Sequence, residues 1–426
     1  MSGARAVAVL SVAACLAAAS ALAAPALAAT DGSQTVLSGT PANQSGTRQT
    51  STVSQGNGLS ATSGGLPKPT AQCLGQEGNA PSPQTPWAQR VLDYSSVWGI
   101  TQGGGVKVAV IDSGVDANPQ YDNRVIVGHT FAPAPAGAVA GDCAGHGTSV
   151  AGIIAAAHMS GVGFAGVAPQ VTLISIKITN SATSLPRGVV APAILSAVED
   201  GAKVINLSLS APNTPALQSA VNFALDHNVV VVASAGNNTS DSSTGPFYPA
   251  DYPGVLSVGA VGQDGSRANF SDTRTRVTVT APGVDVTSTF PGPFPHSYTS
   301  QNGTSFAAAF VSGVVALVRA HYPDLKAAQV VQRIRDTADG AAGPGTGNGL
   351  VNPVEALTAV VPSGSVSSGT GTDQGRVSID RAVSDRKAKM IAMSVAEGAF
   401  GLAAIVIAIA VVLGAGHRRR WRPGGM

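Results

Sequence analysis

Charge is scarce in this chain: Asp, Glu, Lys and Arg make up only 11% of its 426 residues, and the formal net charge is +2. A nucleic-acid binder needs a basic face, and so neutral a composition implies none. Cysteine is scarcer, with three residues in all. None belongs to a C-x-x-C pair or to a His/Cys cluster at metal spacing, which argues against zinc. No acidic loop stands out as a calcium site, so neither a metal nor a cofactor is expected. Internal repeats are also missing. In contrast, a hydrophobic share of 44% with 51 glycines points to a tightly packed α/β protein rather than to disorder.

The two ends carry the longest apolar runs. Residues 1–29 read as a secretory signal, with Arg5 in front, an apolar stretch from Ala6 to Ala23 and small residues at Ala26 to Ala28 for cleavage. Two other readings stay open: an uncleaved anchor, and a lipoprotein box at V-A-A-C that falls early and is followed by more apolar sequence. At the far end, Gly398 to Gly416 is uncharged for 19 residues, inside an expected transmembrane helix over 391–416. That length spans a hydrocarbon core of about 30 Å. Arg418, Arg419, Arg420 and Arg422 in the tail 417–426 then predict a cytoplasmic C-terminus. The expected localisation is a single-pass cell-membrane protein with its bulk outside. Cys15 leaves with the signal, so Cys73 and Cys143 remain. An oxidising compartment favours their pairing, the alternative being two free thiols.

Between the ends the texture changes twice. Residues 30–85 are rich in Ser, Thr, Gly, Gln and Pro, too polar to bury a core, and read as an extension. From Pro86 to about residue 360 there is room for one large domain of roughly 270 residues. Apolar runs at Val106 to Ile111, Val171 to Ile178, Val204 to Leu209 and Val229 to Ala233 predict buried strands. Helical stretches at Val150 to Ala157, Ala193 to Asp200, Pro215 to His227, Ser305 to His321 and Leu325 to Ala338 alternate with or follow them. The expected fold is α/β, a doubly wound, mostly parallel sheet with helices on both faces. A Ser/Gly linker over 361–390 leads to the membrane segment.

Three stretches place a reactive side chain where an element begins or ends. V-A-V-I-D-S-G-V (Val108 to Val115) is a strand that stops at Asp112, the edge at which parallel sheets bind ligands. G-H-G-T-S-V-A-G (Gly145 to Gly152) sets His146 between glycines at a helix start. N-G-T-S-F-A-A-A (Asn302 to Ala309) opens a helix with Ser305 in its first turn, where the N-terminus favours developing negative charge. Thr304 is expected to cap that helix and leave Ser305 free. Phe306, Ala309, Phe310, Gly313, Val314 and Leu317 form its expected buried side. No G-x-S-x-G elbow is present, which argues against an esterase of the α/β-hydrolase type.

In this order, Asp, His and Ser resemble the subtilisin family. V-I-N-L-S-L-S (Val204 to Ser210), S-A-G-N (Ser234 to Asn237), T-A-P-G-V (Thr280 to Val284) and G-N-G-L-V-N (Gly347 to Asn352) resemble its landmarks in sequence. The resemblance implies a serine endopeptidase with Ser305 as nucleophile, His146 as general base and Asp112 as the residue orienting it. It implies Asn237 as oxyanion donor and Ser208, Leu209 and Ser210 as the segment that pairs with substrate backbone. Ala309 stands where the family usually has Pro, and Ser210 where Gly is common, so substrate preference is not legible.

The periphery resembles the mycosins, the subtilisin-like proteases of type VII secretion systems: P-W-A-Q-R-V-L (Pro86 to Leu92), an anchor and a basic tail. That resemblance implies an extension that wraps the catalytic domain, which a Cys73–Cys143 bond would tie to the loop before His146. It also implies a protein or peptide substrate and a secretion-system membrane complex as partner. The other readings are a structural subunit whose catalysis is secondary, and a general degradative surface protease.

Overall fold

The computed structural model describes residues 78–361, apart from 122, 133–140, 182–183, 239–244, 293–296 and 341. The signal 1–29, most of the extension 30–85 with Cys73, the membrane segment 391–416 and the basic tail lie outside the described residues, as does nearly all of the linker.

Seven short strands form one sheet: β1 (Lys107–Asp112), β2 (Val125–Thr130), β3 (Thr172–Lys177), β4 (Val204–Leu207), β5 (Val230–Ser234), β6 (Leu256–Val261) and β7 (Val279–Pro282). Their order is β2-β3-β1-β4-β5-β6-β7 and every pairing is parallel. The strands are near-continuous apolar runs because both faces are covered. In β1, Val108 and Val110 enter one core while Ala109 and Ile111 enter the other. The first core holds residues of α1 (Trp87–Leu92), α2 (His146–Ala155), α5 (Thr304–His321), α6 (Ala327–Asp336) and α7 (Pro353–Thr358). The second holds residues of α3 (Val190–Glu199) and α4 (Pro215–Asp226). A separate antiparallel hairpin, β8 (Val286–Phe290) with β9 (Ser297–Gln301), packs beside α2.

The strand order creates the cleft. From β1 the chain leaves toward β2 and β3, and from β4 it leaves toward β5, on the opposite side. Loops that part between adjacent strands open a crevice at their carboxyl ends. Asp112 ends β1 and Ser208 follows β4, so they flank that crevice.

Two expectations require correction. The strand predicted to reach Leu209 stops at Leu207, because pairing to β1 ends at Asn206 and pairing to β5 at Leu207. Ser208 to Ser210 are therefore a run-on beyond an interior strand. Helix α5 is buried on every side from Thr304 to Arg319, not along one stripe, because it runs between the sheet and α2, α6 and α7. Among the described residues it is the one helix long and apolar enough to cross a membrane, and 89% of its apolar window is buried inside the protein. It is a core helix.

The last residues of the polar stretch are held on the domain. Asn79 exchanges backbone hydrogen bonds with Tyr298 at 2.7 and 3.0 Å, and the Ser82 carbonyl accepts from Gly163 N–H at 2.8 Å.

Phe310 is 1% exposed in the middle of α5, its ring 6.3 Å from that of Tyr94. Phe310→Ala should cost about 3–5 kcal/mol, the usual loss for an aromatic cavity in a core. Denaturant unfolding in a Ser305→Ala background, which removes self-digestion, measures it.

Candidate active site

Seven of the expected site residues line one open cleft of about 400 Å³: Asp112, His146, Ser208, Leu209, Ser210, Asn237 and Ser305. Their positions in sequence are far apart, and the parallel sheet brings them to one edge.

Asp112 is 5% exposed, and its Oδ1 lies 2.8 Å from His146 Nδ1. The same oxygen accepts from Ser113 N–H at 2.7 Å, which fixes the carboxylate before the imidazole reaches it. An ionised carboxylate accepts only, so His146 donates from Nδ1 and carries its lone pair on Nε2. Glycine makes this approach possible. A Cβ on Gly147 would lie 2.1 Å from the Gly114 carbonyl oxygen and 3.1 Å from Asp112 Cβ. In its place, Gly147 N–H donates to Ser113 Oγ at 2.9 Å and sews the start of α2 to the end of β1. Helix α2 begins at His146, as the flanking glycines predict, and ends at Ala155 rather than Ala157.

The His146 side chain is 22% exposed, with the Phe306 ring 5.4 Å away. Burial by itself would lower its pKa. The charge of Asp112, the hydrogen bond that His146 donates to it and the charge of Asp142 outweigh burial and hold the imidazole above its ordinary 6.5.

Ser305 occupies the second position of α5 and is 9% exposed. Its hydroxyl donates to the Ser208 carbonyl at 3.2 Å, and among the described residues no hydrogen bond joins it to His146. Catalytic hydrogen bonds of this kind are often long without substrate and tighten when it binds. Thr304 does not cap the helix as expected. Its N–H and hydroxyl donate to Asn237 Oδ1 at 3.0 and 2.9 Å. Because a backbone N–H can only donate, that contact settles the orientation of the Asn237 amide and leaves its NH₂ end for the cleft. A hydrogen-bonded chain backs the nucleophile: Ser312 Oγ to Asn206 Oδ1 at 2.9 Å, Asn206 Nδ2 to Ser208 Oγ at 2.9 Å, and Ser208 Oγ to the Ser305 carbonyl at 2.7 Å.

The sequence pattern of the subtilase family (Peptidase_S8) matches residues 103–398. The chain belongs to the subtilase family. Like subtilisin DY of Bacillus licheniformis, to which it is 42% identical over 239 residues (56% of this chain, 85% of that one), this subtilase is a subtilisin-like serine protease. Subtilisin Savinase of Lederbergia lenta is 39% identical over 258 residues, 60% of this chain and 91% of that one. Among solved structures, MycP1 with its N-terminal propeptide removed is 34% identical with a TM-score of 0.58, covering 66% of the subtilase and 99% of MycP1. MycP1 from Mycobacterium smegmatis is 30% identical with a TM-score of 0.59, over 73% and 92%. The MycP3 protease from the type VII (ESX-3) secretion system is 33% identical with a TM-score of 0.58, over 67% and 93%.

Sequence reading missed Phe306 as a wall of the imidazole, and it missed Asp116, Asp142 and Lys177 beneath it. Lys177 gave a signal: it ends the apolar run of β3 as Asp112 ends β1, and the two are partners in register. Among the described residues no group of three or more His, Cys, Asp or Glu could hold a metal ion. Cys143, three residues before His146, is disulfide-bonded.

Proton NMR of the Ser305→Ala protein should show the His146 imidazole titrating above 6.5. In the further variant Asp112→Asn that titration should move down, since the two largest contributions that raise it are gone.

Proposed function

We propose that this subtilase is a membrane-anchored extracytoplasmic endopeptidase of the mycosin type, acting by an acyl-enzyme mechanism on proteins that leave the cell. The observation that carries the mechanism is the 2.8 Å contact between Asp112 Oδ1 and His146 Nδ1, on the same cleft as Ser305. Ser305 Oγ attacks the peptide carbonyl and His146 Nε2 takes its proton, later giving it to the leaving amine. Asp112 holds the tautomer and stabilises the imidazolium that forms in between. Asn237 NH₂ and the Ser305 N–H receive the oxyanion, a donor pair preset by the Thr304 contacts. Substrate backbone lies along Ser208 to Ser210, which among the described residues belong to no strand.

The mycosin assignment is supported by the likeness to MycP1 and MycP3, and by the apolar segment and basic tail in sequence. The pairing of Asn79 with Tyr298 fits an extension that stays on the mature enzyme, tied by a Cys73–Cys143 bond. The chain carries only one other cysteine, Cys15 in the signal segment.

A fluorophosphonate probe should label the wild type and fail to label Ser305→Ala. Labelling that persists in the variant rules out Ser305 as nucleophile. In a deletion strain, the same variant separates roles: an exported protein left uncleaved supports maturation, whereas secretion blocked by deletion and restored by Ser305→Ala supports the structural-subunit reading. Non-reducing peptide mapping of the mature protein should recover Cys73 and Cys143 in one linked species, and two free thiols would remove the tether.

A further inference from the structure

Helix α2 starts without a cap of its own. The residue before it, Gly145, has a left-handed backbone with φ 74° and no side chain to offer. The helix start is met from outside by Asp142, which takes one N–H of the first turn and the two backbone N–H groups that lead into it. Asp142 Oδ1 accepts from Ala144 N–H at 3.1 Å and from Gly145 N–H at 2.9 Å. Oδ2 accepts from Thr148 N–H and Thr148 Oγ1, both at 2.8 Å. These bonds bracket His146 on both sides. All four partners donate, so the group that satisfies them is an ionised carboxylate, and a negative charge under a helix N-terminus is favourable.

Asp142 is itself held. Asp116 Oδ1 accepts from Asp142 N–H at 2.7 Å, and Asp116 N–H donates to Thr148 Oγ1 at 3.0 Å. Lys177 Nζ donates at 2.6 Å to the carbonyls of Ser113 and Gly141, joining the residue after Asp112 to the residue before Asp142. The loops that carry the carboxylate and the imidazole are thus braced through β3. Asp142 is 1% exposed and Lys177 4%, so these contacts are little weakened by solvent.

We infer that Asp142 is a positioning residue for His146: it supplies the missing cap of α2, holds the His146 backbone against Asp112, and sets a second negative charge near the imidazolium. This rests on the reading of His146 as general base. The charged groups that act on the imidazole are Asp112 on β1 and Asp142 ahead of α2, with Asp116 after β1 and Lys177 on β3 acting on Asp142 in turn, while Phe306 on α5 is apolar. Burial lowers the His146 pKa, and Asp142 works with Asp112 in raising it. Burial leaves the Asp142 carboxyl raised above its ordinary range, with the Asp112 charge adding to the rise and the hydrogen bonds from Thr148 and Ser113 opposing it.

The test uses the full-length protein and a peptide substrate across pH. In Asp142→Asn one amide end faces donors it cannot accept from, and a negative charge is gone. The expected result is a kcat lower by about ten- to a hundred-fold, the scale of a small misplacement of a reacting group. KM should stay near wild type, and the acid limb of kcat/KM should move to lower pH, since a charge that favours protonated His146 is removed. Asp142→Glu keeps the charge but displaces it, so kcat should fall while the acid limb stays. A wild-type acid limb in folded Asp142→Asn, or a wild-type kcat in Asp142→Glu, overturns the inference. Should Asp142→Asn not fold, the Glu variant decides alone. His146→Ala is the control for the underlying reading: if it keeps activity, the general-base assignment falls, whereas an inactive His146→Ala with an unshifted Asp142→Asn removes only the role of Asp142.

Discussion

The hydrogen bond between Asp112 and His146 is the contact on which the rest of the site depends, and it is demanding to make. A carboxylate at 5% exposure has lost most of its water, so its oxygens must be met by fixed donors. Ser113 N–H and His146 Nδ1 provide those donors on one oxygen. The imidazole can come that close only because α2 begins hard against the end of β1, with Gly147 where any side chain would strike Gly114.

Beneath this contact lies a small electrostatic system. Burial penalises each charge, and each is answered by a neighbour of opposite sign or by backbone dipoles. Asp116 is pushed up to about 6, with burial the largest cause, while Lys177 is held below the usual lysine range by burial against the pull of three carboxylates. Removing Lys177 would leave the carboxylates facing one another without its charge, so these residues act as a group rather than as separate salt bridges. A surface arrangement of the same charges would be screened and contribute little.

The nucleophile side is built differently, with neutral amides and hydroxyls. Asn237 takes two donors from Thr304, and the chain Ser312, Asn206, Ser208 ends on the Ser305 carbonyl. This ties α5, a helix buried on all sides, to the ends of β4 and β5. The cleft therefore has a charged wall that manages protons and a neutral wall that presents the hydroxyl and the amide donors. Keeping net charge away from Ser305 leaves the helix N-terminus and the Asn237 amide as the main positive field where an oxyanion develops.

Much of this was legible in the sequence. Apolar β-branched runs located β1 and the ends of β3 to β5 within a residue or two, and the order Asp, His, Ser identified the family. Partly polar strands such as β2, and the hairpin β8–β9, lack that continuous signal and went unseen. What the sequence by itself determined is where the continuous apolar elements lie and which reactive groups end them, because period and punctuation are local properties of the chain. Only the tertiary structure decided which buried partners those groups acquire. Asp142 caps its own helix from outside, yet Lys177 braces it from 35 residues further on and Ser312 reaches Asn206 across 106 residues. Such partners are chosen by how close two distant backbones approach at the sheet edge, and no local pattern encodes that distance.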